Sequence, residues 1–420
     1  MHQLNVNHIG VSLAGHPILQ SISFAARSGE LIGLIGPNGS GKSTLLRTLA
    51  GLQPYQQGEI KLNQSKLPAF RPRELARIIG YVPQDTSLGF DFSVRDIVLM
   101  GRHAHIPRFG LESPRDLEIV QEALERTAIA DLADRLVTSL SGGQRQMAFI
   151  AKALAQEPGI LLFDEPVSAL DINRQLQVLE LIRELANEGI LAIAALHDLN
   201  LAARFCDRLI LIQDGQLQSN GAPDEVLNPH TLLSSYQVLS AVRHDEMVDA
   251  AAVTALGYKE AGQSYETDAE PRPSVYVVGG AGSASGLLAL LHRLNCKVTA
   301  GPMEAHDPDA RLARDLGMKV IISPSFCKIS PGLLHQCQKE QLAADLVIAA
   351  PVPMGDNNQE LRSVLSTTNV LTWLPDREPG TAGTPLLTDY LNSSSIVNKE
   401  NLTTIIQQKK EEIARETVHS

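Results

Sequence analysis

Residues 36–44 read GPNGSGKST, three glycines and a lysine directly after the apolar run Leu31–Ile35. A backbone that turns sharply and lays its N–H groups around a polyanion must shed its Cβ atoms, so this stretch commits the chain to a strand, a tight loop and a helix, in that order. The next residues, STLLRTLAGL, supply the helix. The spacing GxxxxGK[ST], met by Gly36, Gly41, Lys42 and Ser43, is that of a phosphate cradle. The loop Gly36, Pro37, Asn38, Gly39, Ser40, Gly41, Lys42, Ser43 and Thr44 is expected to line a nucleotide. Amides from Asn38 to Thr44 would face its phosphates at the positive end of the helix. Lys42 is expected to reach the β and γ groups, and the Ser43 hydroxyl to sit on Mg²⁺.

A cradle alone hydrolyses nothing. In GILLFDEP the apolar strand 160–163 ends in two carboxylates, Asp164 and Glu165. A buried parallel strand delivers its last residues to the edge where ligands bind in open α/β sheets. Asp164 is expected in the magnesium shell, and Glu165 is expected to polarise the attacking water.

LSGGQ at 140–144 makes the resemblance specific, because it precedes the Asp-Glu strand by about 20 residues. The chain resembles the ATP-binding subunits of the ABC transporter superfamily. The resemblance spans residues 2 to about 236 and implies a P-loop cassette: a RecA-like core with an antiparallel β subdomain and a helical subdomain. It also implies ATP and Mg²⁺ as ligands. Ser141, Gly142, Gly143 and Gln144 would then cap the γ-phosphate bound by a second copy, so two chains pair head to tail. Gln84 in YVPQD matches the loop that senses magnesium and the permease. Asp171 in SALD falls at the dimer seam, and His197 in ALHDLN matches the switch histidine beside the γ-phosphate. The family usually stacks adenine on an early aromatic residue, whereas Leu13 stands there in this chain. His16 or another side chain takes that role, or the base is held by apolar contact alone.

The stretch between Gln84 and the signature resembles that of importers for iron-siderophores, haem and cobalamin. The expected function is an importer ATPase on the cytoplasmic face of the membrane, with a separate permease and, indirectly, a substrate-binding protein as partners. The alternatives are an exporter ATPase or a soluble non-transport ABC protein. Phe90, Phe92, Met100 and Arg102 are candidates for the permease groove, against an ordinary core and surface role. A formal net charge of −11 and the lack of clustered Lys and Arg argue against a nucleic-acid partner. The four cysteines lack CxxC spacing, which fits a reducing compartment. The N-terminal stretch shows no secretory signal, and charges interrupt the longest apolar runs before a membrane span is reached.

The expected organisation is a cassette over 1–236, a linker over 237–273, a small doubly wound α/β domain over 274–375, and a tail with a terminal surface helix over 376–420. Asp307-Pro308 and Ser330-Pro331 read as helix starts. VVGGAGSASG at 277–286 loosely echoes a dinucleotide turn, but its spacing is GxGxxxG and no acid ends the strand expected at 296–299. A packing turn in a regulatory or small-ligand-sensing module is the expectation. The phrase HDPDARLARDLG resembles the extension on some members of the importer subfamily, and its acids equally suit helix caps.

Overall fold

Alternating apolar and polar side chains set the first hairpin. Strand β1 (Gln3–Leu13) pairs antiparallel with β2 (His16–Arg27) around a turn at Ala14 and Gly15, both at positive φ. The run β3 (Leu31–Ile35) is buried at every position, as a strand covered on both faces must be. Next come β4 (Gln57–Leu62) and the two-residue β5 (Ser65–Lys66), completing an antiparallel sheet of order β2-β1-β4-β5. A second sheet is built from β3, β6 (Ile79–Val82), β7 (Ile160–Phe163), β8 (Leu191–Ala195), β9 (Arg208–Gln213) and β10 (Gln216–Gly221). Its order is β10-β9-β3-β8-β7-β6, parallel except for β10.

This computed structural model describes residues 2–86, 90–107, 110–168, 170–258, 272–325, 327–355, 358–365, 370–374, 385–390 and 395–419. The chain divides into two units, Met1–Tyr236 with His244–Val253, and Gln237–Arg243 with Thr254–Ser420.

In the first unit, Leu45, Leu46 and Leu49 of the helix Lys42–Leu49 share one core with Val6 and Ile22 of the antiparallel sheet and Leu162 and Ile193 of the other. Each fully buried leucine contributes about 2 kcal/mol of transfer free energy. The helices Val94–Leu99, Pro114–Arg126 and Gly142–Leu154 pack on one another. Each starts at a serine, Ser93, Ser113 or Ser141, whose hydroxyl accepts from the amide three residues on. This is the RecA-like core with β and helical subdomains that the resemblance implies.

Arg102 is buried. Its Nε lies 2.9 Å from Asp116, and its Nη1 donates to the Ala155 carbonyl at 2.7 Å and to Glu157 at 2.8 Å. It ties the helical subdomain together instead of lining a groove, contrary to the docking role considered for it.

The second unit contains β13 to β18 in one parallel sheet. These are β13 (Ser274–Val278), β14 (Lys297–Glu304), β15 (Lys319–Ser323), β16 (Leu346–Ala349), β17 (Val370–Trp373) and β18 (Ser395–Val397), in the order β15-β14-β13-β16-β17-β18. Val275 and Val277 face a core shared with Leu287, Leu291, Leu402 and Ile406. Tyr276 and Val278 face the opposite core with Cys337 and Leu361. Helices therefore cover both faces, and the sheet is doubly wound. Asp307 and Ser330 cap their helices as expected, with Pro308 and Pro331 in the first turns.

Two boundary expectations change. Residues 238–258, expected within a linker, form a two-stranded ribbon of β11 (Val238–Asp245) and β12 (Ala250–Tyr258). Apart from Leu239 its buried side chains are small, Ser240, Ala241, Ala250 and Ala251, and such residues give a faint strand signal. The polar stretch 259–271 lies outside the described residues. The expected tail contributes the sixth strand, and its helix Lys399–His419 buries Leu402 and Ile406. Most of the Pro/Gly-rich stretch at 375–394 lies outside the described residues.

The Ser113 hydroxyl and amide, followed by the Arg102 guanidinium, hold the Asp116 carboxyl down at about 2, against an ordinary 3.8. Asp116 therefore contributes stability that is full above pH 4 and fades as pH falls toward about 2. Replacing Asp116 with Ala should cost about 3 kcal/mol in chemical unfolding at pH 7, because it strands a buried guanidinium. The gap from the parent chain should narrow in melts at acid pH.

Candidate nucleotide site

Strands β3, β8, β7 and β6 lie side by side and end on one edge of their sheet. The chain leaving that edge carries the glycine loop after β3, His197 after β8, Asp164 and Glu165 after β7, and Gln84 after β6. Four segments far apart in sequence are thereby set around one space.

Steric necessity explains two of the glycines. Gly36 has φ +147°, and a Cβ there would lie 2.0 Å from the Ile212 carbonyl oxygen. Gly41 has φ +105°, and its Cβ would lie 2.6 Å from a Leu19 methyl. Lys42 is buried within the loop, its Nζ donating to the carbonyls of Gly36 at 2.8 Å and Pro37 at 3.0 Å. Burial lowers its pKa, opposed by the charges of Glu165 and Asp164.

Asp164 is fully buried. The Ser43 hydroxyl donates to its Oδ1 at 2.7 Å, and the Tyr81 hydroxyl donates to its Oδ2 at 2.9 Å. Tyr81, within YVPQD, is not among the site residues the motifs point to. The signal for it is its place on β6, whose register sets it beside Leu162 of the strand that ends in Asp164. Glu165 sits at φ 51°, a left-handed conformation that costs a non-glycine residue on the order of 1 kcal/mol. Gln84 Nε2 donates to its Oε2 at 2.5 Å, and His197 Nε2 lies 2.5 Å from its Oε1. Asp198 follows as a helix cap, accepting from the amides of Asn200 and Leu201, which fixes the backbone next to His197. Gln84, Asp164, Glu165, His197, Lys42 and Ser43 thus meet as one cluster.

Ser141, Gly142, Gly143, Gln144 and Asp171 make a second patch. Ser141 accepts from the Gln144 amide, and Gln144 Oε1 accepts from the Ser141 amide. Ser141 and Gly142 are exposed, and a Cβ at Gly142 would meet nothing within 4 Å. Gly143 lies against Leu170 and Arg174, while Asp171 caps the next helix by accepting from the Arg174 amide at 2.9 Å. Ile172 beside it is 77% exposed. Ala169, within SALD, lies outside the described residues. Leu13 is exposed at the end of β1, paired across the hairpin with His16.

A mostly apolar groove of about 580 Å³ opens elsewhere on this unit, with Leu52, Tyr55, Phe70, Leu75, Tyr81 and Lys152 in its wall. Phe90, Phe92, Met100 and Arg102 lie outside that lining.

In the second unit the glycine turn is occupied by its own chain. Gly280 and Ala284 donate their amides to Asp309 Oδ2, each at 2.9 Å, the Ser285 hydroxyl donates to Oδ1 at 2.6 Å, and Ala281 N–H donates to Asp307 Oδ2 at 2.6 Å. Gly279 packs so tightly that a Cβ would lie 2.4 Å from that of Ala284, in keeping with a packing turn. Strand β14 also runs further than expected and ends in Glu304, so an acid does close the second strand.

The ABC transporter family profile matches residues 19–168, and a profile described as the MJ0874 family matches residues 298–402. The chain is 40% identical over 350 residues to a cobalamin import ATP-binding protein, BtuD, of Halobacterium salinarum, covering 83% of this chain and 86% of that protein. It is 40% identical to a hemin import ATP-binding protein, HmuV, of Gloeobacter violaceus, over 59% of this chain and 92% of the relative. It is 38% identical to the ferric enterobactin transport ATP-binding protein FepC of Escherichia coli, over 58% and 90%. A solved inward-facing metal-chelate type ABC transporter superposes with a TM-score of 0.54 at 30% identity, covering 61% of this chain and 98% of that one. With the phosphate loop, the Asp-Glu strand end and the signature helix all in place, the chain belongs to the ATP-binding subunits of the ABC transporter family.

Proposed function

We propose that this chain hydrolyses ATP between two copies of its cassette, at the cytoplasmic face of a membrane, to drive import of a metal chelate through a separate permease fed by a substrate-binding protein. The observation that carries the reading is the carboxylate pair at the end of β7: Asp164 locked to Ser43, and Glu165 held between Gln84 and His197. Lys42 and the amides of the loop bind the β and γ phosphates. Glu165 accepts a proton from the attacking water, and His197 and Gln84 hold its carboxylate in line. Ser141, Gly142, Gly143, Gln144 and Asp171 close the site of the other copy, and the exposed Ile172 is suited to burial at that seam.

The residues fit a magnesium ion. A serine hydroxyl and one carboxylate, with Gln84 just past the end of β6, leave room for phosphate oxygens and water, which is how this small, hard cation is usually held. Bound there, magnesium neutralises charge on the phosphates.

Among the described residues no helix is long and apolar enough to cross a membrane, and membership of the family implies a permease as partner. The groove walled in part by Tyr81 suits a short permease helix, with Lys152 in its wall to meet an acidic side chain. The names of the relatives favour import over export. Cobalamin is favoured among chelates because a relative that aligns over 83% of this chain, and so extends beyond the cassette, is named for it. Uptake of cobalamin, haem and ferric chelates in a strain lacking the gene separates these cargoes.

Replacing Glu165 with Gln should abolish turnover, keep ATP binding and accumulate a dimer in size-exclusion chromatography with ATP. Full turnover in that variant would overturn the mechanism. Ile172→Glu should weaken the same dimer. Tyr81→Phe removes one of two hydroxyls from Asp164. Since a hydrogen bond to a charged group is worth about 1.5–3 kcal/mol, it should raise the magnesium concentration needed for half-maximal ATPase about tenfold or more, with the ATP affinity measured without metal unchanged.

A further inference from the structure

We propose that the second unit binds a nucleoside lacking a 5′-phosphate, its vicinal sugar hydroxyls seated on Glu304. The order β15-β14-β13-β16-β17-β18 reverses direction between β13 and β16, and in open parallel sheets the crevice outside that switch point is where ligands bind. A cleft of about 480 Å³ lies there, walled by the loops that leave β13, β14, β15 and β16. Its volume falls within the roughly 300–1,000 Å³ of small-molecule sites.

The chemistry of the cleft selects the ligand. Glu304 lines it from the end of the strand after the glycine turn, where sheets of this order place an acid that accepts from ribose hydroxyls. A carboxylate has about four lone-pair directions, enough to take two adjacent hydroxyls alongside another partner. Ile329, Val352 and Met354 supply an apolar wall for a flat base.

The same turn in a dinucleotide-binding domain offers its amides to a pyrophosphate. Here Asp309 takes the amides of Gly280 and Ala284, and Asp307 takes that of Ala281. Asp309 is fully buried, so it is part of the fold and not a loose side chain that a ligand displaces. Asp307 itself lines the cleft, and among its described lining residues there is no lysine or arginine. A phosphate placed at this turn would meet the carboxylates of Asp307 and Asp309, and none of the described lining residues is a cation that offsets them. The sugar end of a nucleotide is welcomed and its phosphate is refused. This inference stands apart from the ATPase reading, since none of the cassette residues enters it.

The test titrates the intact chain, its cassette saturated with a non-hydrolysable ATP analogue, against adenosine, guanosine, cytidine and uridine by calorimetry. At least one nucleoside should bind, its 2′,3′-dideoxy form should bind about tenfold more weakly or worse, and its 5′-monophosphate should also lose affinity. Glu304→Gln should weaken the nucleoside by a similar factor while leaving the affinity of the cassette for the ATP analogue unchanged. Cys327→Trp, at an exposed lining residue of the cleft, should abolish binding and covers the case in which Glu304→Gln unfolds the unit. The proposal is overturned if no nucleoside binds, if the monophosphate binds as tightly, or if binding survives Cys327→Trp.

Discussion

The carboxylate of Asp164 is removed from water completely, and a buried charge is tolerated only where donors meet its oxygens. Two hydroxyls do so, Ser43 from the start of the helix after the glycine loop and Tyr81 from the neighbouring strand. The phosphate loop, the β7 strand end and the β6 strand are therefore fixed to one another by a single group. Glu165, one residue on, inherits that placement and turns through a left-handed conformation to face Gln84 and His197. The parallel register of four strands makes this possible, because it brings loops from residues 36 to 197 to one edge.

The two units use the same local grammar, a strand followed by a glycine turn and a helix, with opposite electrostatic outcomes. In the cassette the nearby carboxylate, Asp164, meets a side-chain hydroxyl, and Lys42 brings a cation into the loop. In the second unit the carboxylates of Asp307 and Asp309 take the turn amides for themselves. Lys42 apart, what decides the difference lies not in the glycines but in residues more than twenty positions downstream, which only the folded sheet brings back.

That is also where legibility from sequence ended. The loop, the Asp-Glu pair, the signature and the sheet-forming runs were readable because each is local: a few residues whose types and spacing follow from one short piece of backbone. The caps at Asp307 and Ser330 were readable for the same reason. Tyr81 was not, since its role depends on which strand lies beside β6. Arg102 is a groove candidate in the sequence, and only the fold closes Asp116 and Glu157 around it. The ribbon at 238–258 was hidden by its alanines, and the end of β14 by Gly301 and Pro302, residues that usually stop a strand. The terminal helix looked like a charged surface element because, among its described side chains, only one narrow stripe through Leu402 and Ile406 is buried.

That stripe bears on how the chain matures during synthesis. The core formed by Val275, Val277 and Leu287 is completed by side chains more than a hundred residues later. The cassette sheet has all its strands by Gly221 and can close while translation continues. The second core is complete only once Ile406 has left the ribosome, and until then an apolar face stays open, which makes that interval the stretch of biogenesis in which a chaperone has most to cover.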